Sequence, residues 1–227
     1  MKSNKSKIIL GSLFLSLSII GISGFVVGAH VPPGGGGNPS IKWGFFFWAS
    51  DVGCSSKING YENLLQAKGY VTHDYKDADL ATVFTYIDSC EDYNDKLFLY
   101  FYGHGYYEDG QSHVWHTPYY TMSSSVLRNY ISNLETSDIC ILIDSCHAGE
   151  FVSRFSNDNG YLVMTSTDRS TNAGYNKVTK EGLFSWYFWL DIACWGSHSA
   201  KTAFLNARSF YWYYNSKYVD NSVYTFF

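Results

Sequence analysis

The sequence predicts an α/β fold with a mainly parallel sheet covered by helices on both faces. Three observations carry this. Short apolar runs alternate along the chain with segments whose apolar residues recur at helical spacing. The runs are apolar throughout rather than at every second residue, the pattern of strands buried on both faces. The composition, 46% hydrophobic and 16% charged in 227 residues, supports a sizeable core and excludes a disordered tail.

Residues 41–50 (IKWGFFFWAS) carry no charge after Lys42 and are predicted as the first strand. From Ile58 to Lys68, residues Ile58, Tyr61, Leu64 and Leu65 fall on one helical face, and Gly69 marks the stop. A second strand is expected at Tyr70–His73. A helix follows over Asp77–Ile87, with Leu80, Val83, Phe84 and Ile87 in phase and Asp77 as candidate cap. Lys96–Tyr102 (KLFLYFY) is the third strand. Ser123–Leu134 is the next helix, Asp138–Ile143 the fourth strand, and Tyr161–Met164 the start of a fifth. Gly182–Cys194 and Ala200–Tyr214 read as helices. There is no internal repeat.

The N-terminus is an address rather than part of the fold. Lys2, Lys5 and Lys7 precede an uncharged apolar run, residues 8–29, that ends Val27-Gly28-Ala29, in the order of a secretory signal. Residues 1–29 are therefore expected to be a signal peptide, with an uncleaved membrane anchor as the alternative. The expected location is secreted or extracellular, or membrane-attached through residues 8–29 with the domain outside. Removing 1–29 takes away three Lys and no acid, moving the net charge from −4 to −7. That balance argues against a nucleic-acid partner, which needs concentrated positive charge. Residues 30–40 form a Pro/Gly-rich flexible linker. The folded domain is expected over 41–227.

In open parallel sheets ligands sit beyond the carboxyl ends of the strands. The third strand ends in Gly103-His104-Gly105 and the fourth in Asp144-Ser145-Cys146-His147-Ala148-Gly149. A thiol and an imidazole on neighbouring strand exits make an activated nucleophile, with His104 drawing off or stabilising the charge of Cys146. The backbone N–H groups of Gly105 and Cys146 are candidates for an oxyanion hole.

These segments, TYIDSCEDYNDKLFLYFYGHG and then DICILIDSCHAG, resemble the caspase-like cysteine peptidases, most closely the metacaspase branch and its prokaryotic relatives. The interval of 42 residues from His104 to Cys146 fits that family, as do MTSTDRSTNAGY and GLFSWYFWL further on. The resemblance implies a caspase-like three-layer sandwich and an endopeptidase hydrolysing peptide or protein substrates through a Cys–His dyad without an organic cofactor. With the leader, that is an exported endopeptidase, and no metal is expected. By position it makes Cys146 the nucleophile and His104 the general acid/base. Asp144 then lines the pocket for the residue before the scissile bond (P1), selecting Arg or Lys by a charge-assisted hydrogen bond. Asp51, ending the first strand, is a second pocket candidate, equally readable as a turn residue. Ser166 borders the same pocket. The chain departs from metacaspases at Tyr102, where they have Ser, and a phenol there is expected to reshape the pocket. The family's calcium-site acids find no one-to-one match.

Two other functions stand beside this one: a legumain-like peptidase or transpeptidase preferring Asn or Asp, and a catalytically silent secreted binding domain using its aromatic residues. His113 and His116 could supply two zinc ligands, but Gly110 and Pro118 bracket them as a hairpin with exposed imidazoles. Of the five Cys, Cys140 and Cys194 are expected to be buried small hydrophobes. The polar stretch Thr165–Glu181 is long for a loop and stands where relatives are sometimes cut during maturation. The aromatic tail Phe210–Tyr218 is expected to pack inside.

Overall fold

The fold is seen in a computed structural model that describes residues 39–52, 55–178, 181–194 and 199–222. The expected leader 1–29, most of the linker, Cys54 and Lys180 lie outside the described residues. Along the chain run β1 (Lys42–Trp48), α1 (Ser55–Gln66), β2 (Tyr70–Lys76), α2 (Leu80–Cys90) and β3 (Lys96–Tyr102). Next come β4 (Gly105–Glu108), β5 (Gln111–Trp115), β6 (Thr121–Ser123), α3 (Ser124–Ile131), β7 (Ile139–Asp144) and α4 (Gly149–Phe155). The last elements are β8 (Tyr161–Thr165), β9 (Tyr175–Asn176), β10 (Glu181–Gly182), α5 (Leu183–Cys194), α6 (Ala200–Phe210) and β11 (Lys217–Asp220).

Six strands form the main sheet in the order β11-β8-β7-β3-β1-β2. All its pairs are parallel except β11 with β8. The uninterrupted apolar strands are explained by alternation between two covered faces. Phe46, Phe98, Tyr100, Leu142 and Met164 face a core completed by α1, α5 and α6. Phe45, Phe47, Leu99, Ile141 and Val163 face the other core, against α2, α3 and α4. Each such side chain, fully buried, stabilises the fold by about 1.5–3 kcal/mol before entropy is counted. Aromatic rings dominate both cores: Phe47 stacks on Phe101 at 4.5 Å, and Trp189 of α5 stacks on Tyr61 of α1 at 4.8 Å. Among the described residues no helix is long and apolar enough to cross a membrane.

The register sets the height of the strand ends. Trp48 lies opposite Tyr102, and Tyr102 opposite Asp144. β1, β3 and β7 therefore finish level, so Asp51, His104 and Cys146 all emerge at one edge.

Several local expectations are corrected. The cap of α2 is Asp79, whose carboxylate accepts from the Thr82 N–H at 3.2 Å, while Asp77 sits in the turn before it at φ 51°. The helix expected to run to Leu134 ends at Ile131, and that expected to run to Tyr214 ends at Phe210. The hairpin expected between Gly110 and Pro118 is part of the antiparallel sheet β4-β5-β6, while the pair β9-β10, the seven-residue α4 and the antiparallel edge strand β11 had no counterpart in the sequence. Elements this short carry too few periods to register as patterns. Cys140 is buried as expected, but Cys194 is exposed at the last position of α5. The aromatic tail also divides: Tyr211 is buried, whereas Phe210, Trp212 and Tyr213 are exposed.

Candidate active site

Glycines let the two strand exits close on each other. The Gly103 N–H donates to the Asp144 carbonyl at 3.4 Å, tying the end of β3 to the end of β7. A methyl group on Gly105 would collide with the Ser145 hydroxyl and the Cys146 carbonyl. His104, between these glycines, is thus held against the turn that carries Cys146. That turn is sharp: His147 takes φ 55°, a conformation uncommon for a residue with a side chain. Its N–H donates to the Thr171 carbonyl at 2.9 Å and its Nδ1 lies 3.1 Å from the Arg169 carbonyl. His147 therefore faces away from the strand exits, toward the loop after β8.

Cys146 and His104 line one cavity of about 290 Å³, together with Asp51, Asp144, Tyr175 and Gly182. The imidazole Nε2 of His104 is 3.6 Å from the Asp51 carboxylate, an ion pair when the ring is protonated, and its ring meets Trp115 edge-on at 6.0 Å. Of the predicted residues, Asp51 thus touches both the histidine and the cavity. Gly105 lies against the Cys146 turn, close to the Cys146 carbonyl. Ser166 is not brought to the cavity wall. It is fully buried beneath the turn, accepting from the Ser145 N–H at 3.1 Å and donating to the Ser145 carbonyl at 3.3 Å. Its hydroxyl, expected at the pocket, is instead taken up by the backbone of Ser145 just past the end of β8.

Asp144 is 1% exposed although it lines the cavity. Its Oδ2 accepts from the Ser185 N–H at 3.0 Å and the Ser185 hydroxyl at 2.5 Å, and Tyr100 bonds that hydroxyl in turn at 2.6 Å. The other oxygen, Oδ1, is buried without a hydrogen-bond partner. Burial pushes the carboxyl above its ordinary range, against the pull of Ser185 and Ser166, and the nearby Glu181 adds repulsion. A buried acceptor left open in this way costs free energy unless a ligand fills it. Gly182 leaves the approach clear: a side chain there would collide with the Asp144 carboxylate and lie 3.0 Å from the Tyr102 ring. Tyr102 lines the cavity beside Gly182.

The Cys146 thiol is likewise raised by burial. The Ala173 N–H, which donates to its sulfur at 3.2 Å, works in the opposite direction, and Asp144 adds to the rise. A thiol of this kind is protonated at rest and depends on a neighbouring base to react. Ala173, Ser185 and Gly182 were missed in the sequence. Each acts through backbone position or a contact of long sequence separation, and the only local signal was the unusual length of the polar stretch that holds Ala173.

His113 and His116 do not converge. His113 stacks on Tyr106 at 4.6 Å, while the His116 Nδ1 binds the Ala78 carbonyl at 3.0 Å, and both are half-buried rather than exposed. Among the described residues, no group of three or more His, Cys, Asp or Glu is placed to hold a metal ion.

No protein-family model matches the chain, and no curated protein does. Among solved structures, the chain is similar to caspase-1 from Spodoptera frugiperda. The TM-score is 0.53 at 11% sequence identity, covering 75% of this chain and 76% of that one. At this identity the likeness establishes the architecture: the chain has a caspase-like fold.

Proposed function

We propose that the protein is a cysteine endopeptidase that cuts peptide bonds after Arg or Lys. The observation that carries the specificity is the buried carboxylate of Asp144, a residue that lines the same cavity as Cys146 and His104 and leaves one oxygen without a hydrogen-bond partner. A cationic side chain entering there supplies the missing partner for Oδ1 and neutralises a charge that the fold otherwise holds at a cost. Support for the chemistry comes from the caspase-like fold and from a cysteine and a histidine that line one cavity.

In this reading the raised thiol reacts by passing its proton to His104 as sulfur attacks the carbonyl carbon. The oxyanion is held by the Gly105 and Cys146 N–H groups. His104 then protonates the leaving amine, and the C–N bond breaks to give a thioester. Water, deprotonated by His104, releases the acid and restores the thiol. Residues 1–29 belong to the same proposal as an export signal or anchor that delivers the enzyme outside the cell.

The test is a panel of peptides with Arg, Lys, Asn or Asp at P1, given to wild type and Cys146→Ala. Turnover after Arg and Lys that vanishes in the variant is expected. Cleavage only after Asn would overturn the role of Asp144 and favour a legumain-like enzyme. Folded protein with neither turnover nor Cys146 labelling would favour the binding domain.

A further inference from the structure

A second cavity, about 660 Å³ and more than twice the size of the first, shares no lining residue with it. Its two walls are the turn between β2 and α2 and the loop between β5 and β6. Leu80 and Met122, both buried, form its apolar base, while Tyr119 and Tyr120 stand exposed at 87% and 69%. Two carboxylates, Asp77 and Asp79, also line it, and no Lys or Arg does. Its one imidazole, His116, is shifted below its ordinary value by burial, so it brings no positive charge at neutral pH.

The walls are fixed in place. Asp77 accepts from the Ser50 N–H at 2.7 Å, and Asp79 caps α2. The Thr117 hydroxyl accepts from the N–H groups of Tyr119 and Tyr120 at 3.1 and 2.9 Å, and the His116–Ala78 bond joins the two sides. A cavity that combines an apolar base, tyrosine rings and uncompensated carboxylates suits a cation on an apolar stem.

Its position says which part of a substrate reaches it. Ser50 precedes Asp51, and His116 follows Trp115, so the cavity begins one residue, or about 3.8 Å of chain, from both residues that contact the His104 ring. The P1 cavity is itself lined by His104 and Asp51 but extends from them toward Cys146, Asp144, Ala173 and Gly182, none of which lines the larger cavity. Since the imidazole protonates the departing amine, the leaving segment lies on its side.

We propose that this cavity is a second specificity subsite, binding an Arg or Lys side chain among the first residues after the scissile bond. The inference rests on the peptidase reading above. The test uses internally quenched peptides of one fixed P1 residue, with Arg, Lys, Gln or Glu at each of the four positions after the cut. A fluorogenic P1 amide without those positions reports the chemistry alone. The variant Asp77→Asn/Asp79→Asn keeps both acceptor oxygens, and Asn tolerates the positive φ at 77.

At one position Arg or Lys is expected to raise kcat/KM about tenfold over Gln, as one charge-assisted contact would. The double variant should abolish that preference and leave the fluorogenic amide unchanged. Absence of a preference, or a preference untouched by the variant, overturns the subsite. Failure to turn over even the fluorogenic amide would overturn the peptidase reading instead. The subsite is then read from fluorescence anisotropy of a labelled Arg-containing peptide on Cys146→Ala. Weaker binding after adding the Asn pair supports it, and equal or no binding overturns it.

Discussion

Replacing Asp144 by Asn separates a carboxylate kept for substrate from one kept for stability. The Asn oxygen can stand in for Oδ2 and take both Ser185 donors, so the Tyr100–Ser185 network survives. Its NH2 group then occupies the place of the open Oδ1, presenting donors to a guanidinium that also brings donors. The loss is one charge-assisted hydrogen bond, about 1.5–3 kcal/mol, or roughly 10- to 150-fold in kcat/KM. Peptides with Arg at P1 should fall by that factor, while matched peptides with Gln at P1 should hardly change. Stability should move the other way. The folded-state pKa of Asp144 lies above its ordinary value of 3.8, chiefly through burial. The folded chain therefore favours the protonated form, and the wild type loses stability as pH rises through the window between the unfolded and folded values. Asn does not titrate, so melting curves should show the variant gaining on wild type as pH rises above the ordinary carboxylate range, about pH 4. An unchanged Arg preference, or a variant that loses stability at pH 8, would refute the assignment of Asp144 to the substrate.

Three more predictions concern the neighbouring groups. Because burial raises the Cys146 thiol, its alkylation by iodoacetamide should keep accelerating from pH 7 to pH 9, about the ordinary thiol range. The readout is mass spectrometry resolved by site, since exposed Cys194 also reacts; a plateau near neutrality would mean that a thiolate–imidazolium pair exists at rest. Gly105→Ala should cost roughly 1–3 kcal/mol, or about 2–12 °C in Tm, and should abolish turnover by prising His104 from the Cys146 turn. A fully stable and active variant would show that the close approach is unnecessary. Asp51→Asn should lower kcat less than about fivefold, because an ion pair at 3.6 Å between side chains 61% and 33% exposed is worth under about 1 kcal/mol. A thousandfold loss in steady-state kinetics would reveal a much stronger coupling to His104.

The legible part of the protein follows from chain chemistry that needs no partner. The runs KWGFFFW, KLFLYFY and ICILID can satisfy their apolar side chains only between two covered faces, and they are three adjacent interior strands of the sheet. The strand exits at His104 and Cys146 were equally visible, since Gly-His-Gly and Asp-Ser-Cys-His-Ala-Gly stand directly after those runs. Less legible were the pieces held by contact rather than composition. The edge strand β11 exists because β8 offers it a ladder, with Tyr218 opposite Met164. The helix before it was read too long because aromatic residues continue past Phe210 without a change in pattern.

By itself the sequence determined the parallel sheet, the two-sided core and the pair of residues at its carboxyl edge, because hydrophobic periodicity and glycine placement are local properties. The tertiary structure alone decided what surrounds them. Register levelled three strand ends, Ser185 came 41 residues along the chain to bind one oxygen of Asp144 and leave the other open, and Ala173 was laid against the sulfur. Ser166 was turned inward to support Ser145, and two loops 38 residues apart closed at His116 and Ala78 to form the larger cavity. Contacts of such sequence separation are set by packing of the whole chain, and no window of residues contains them.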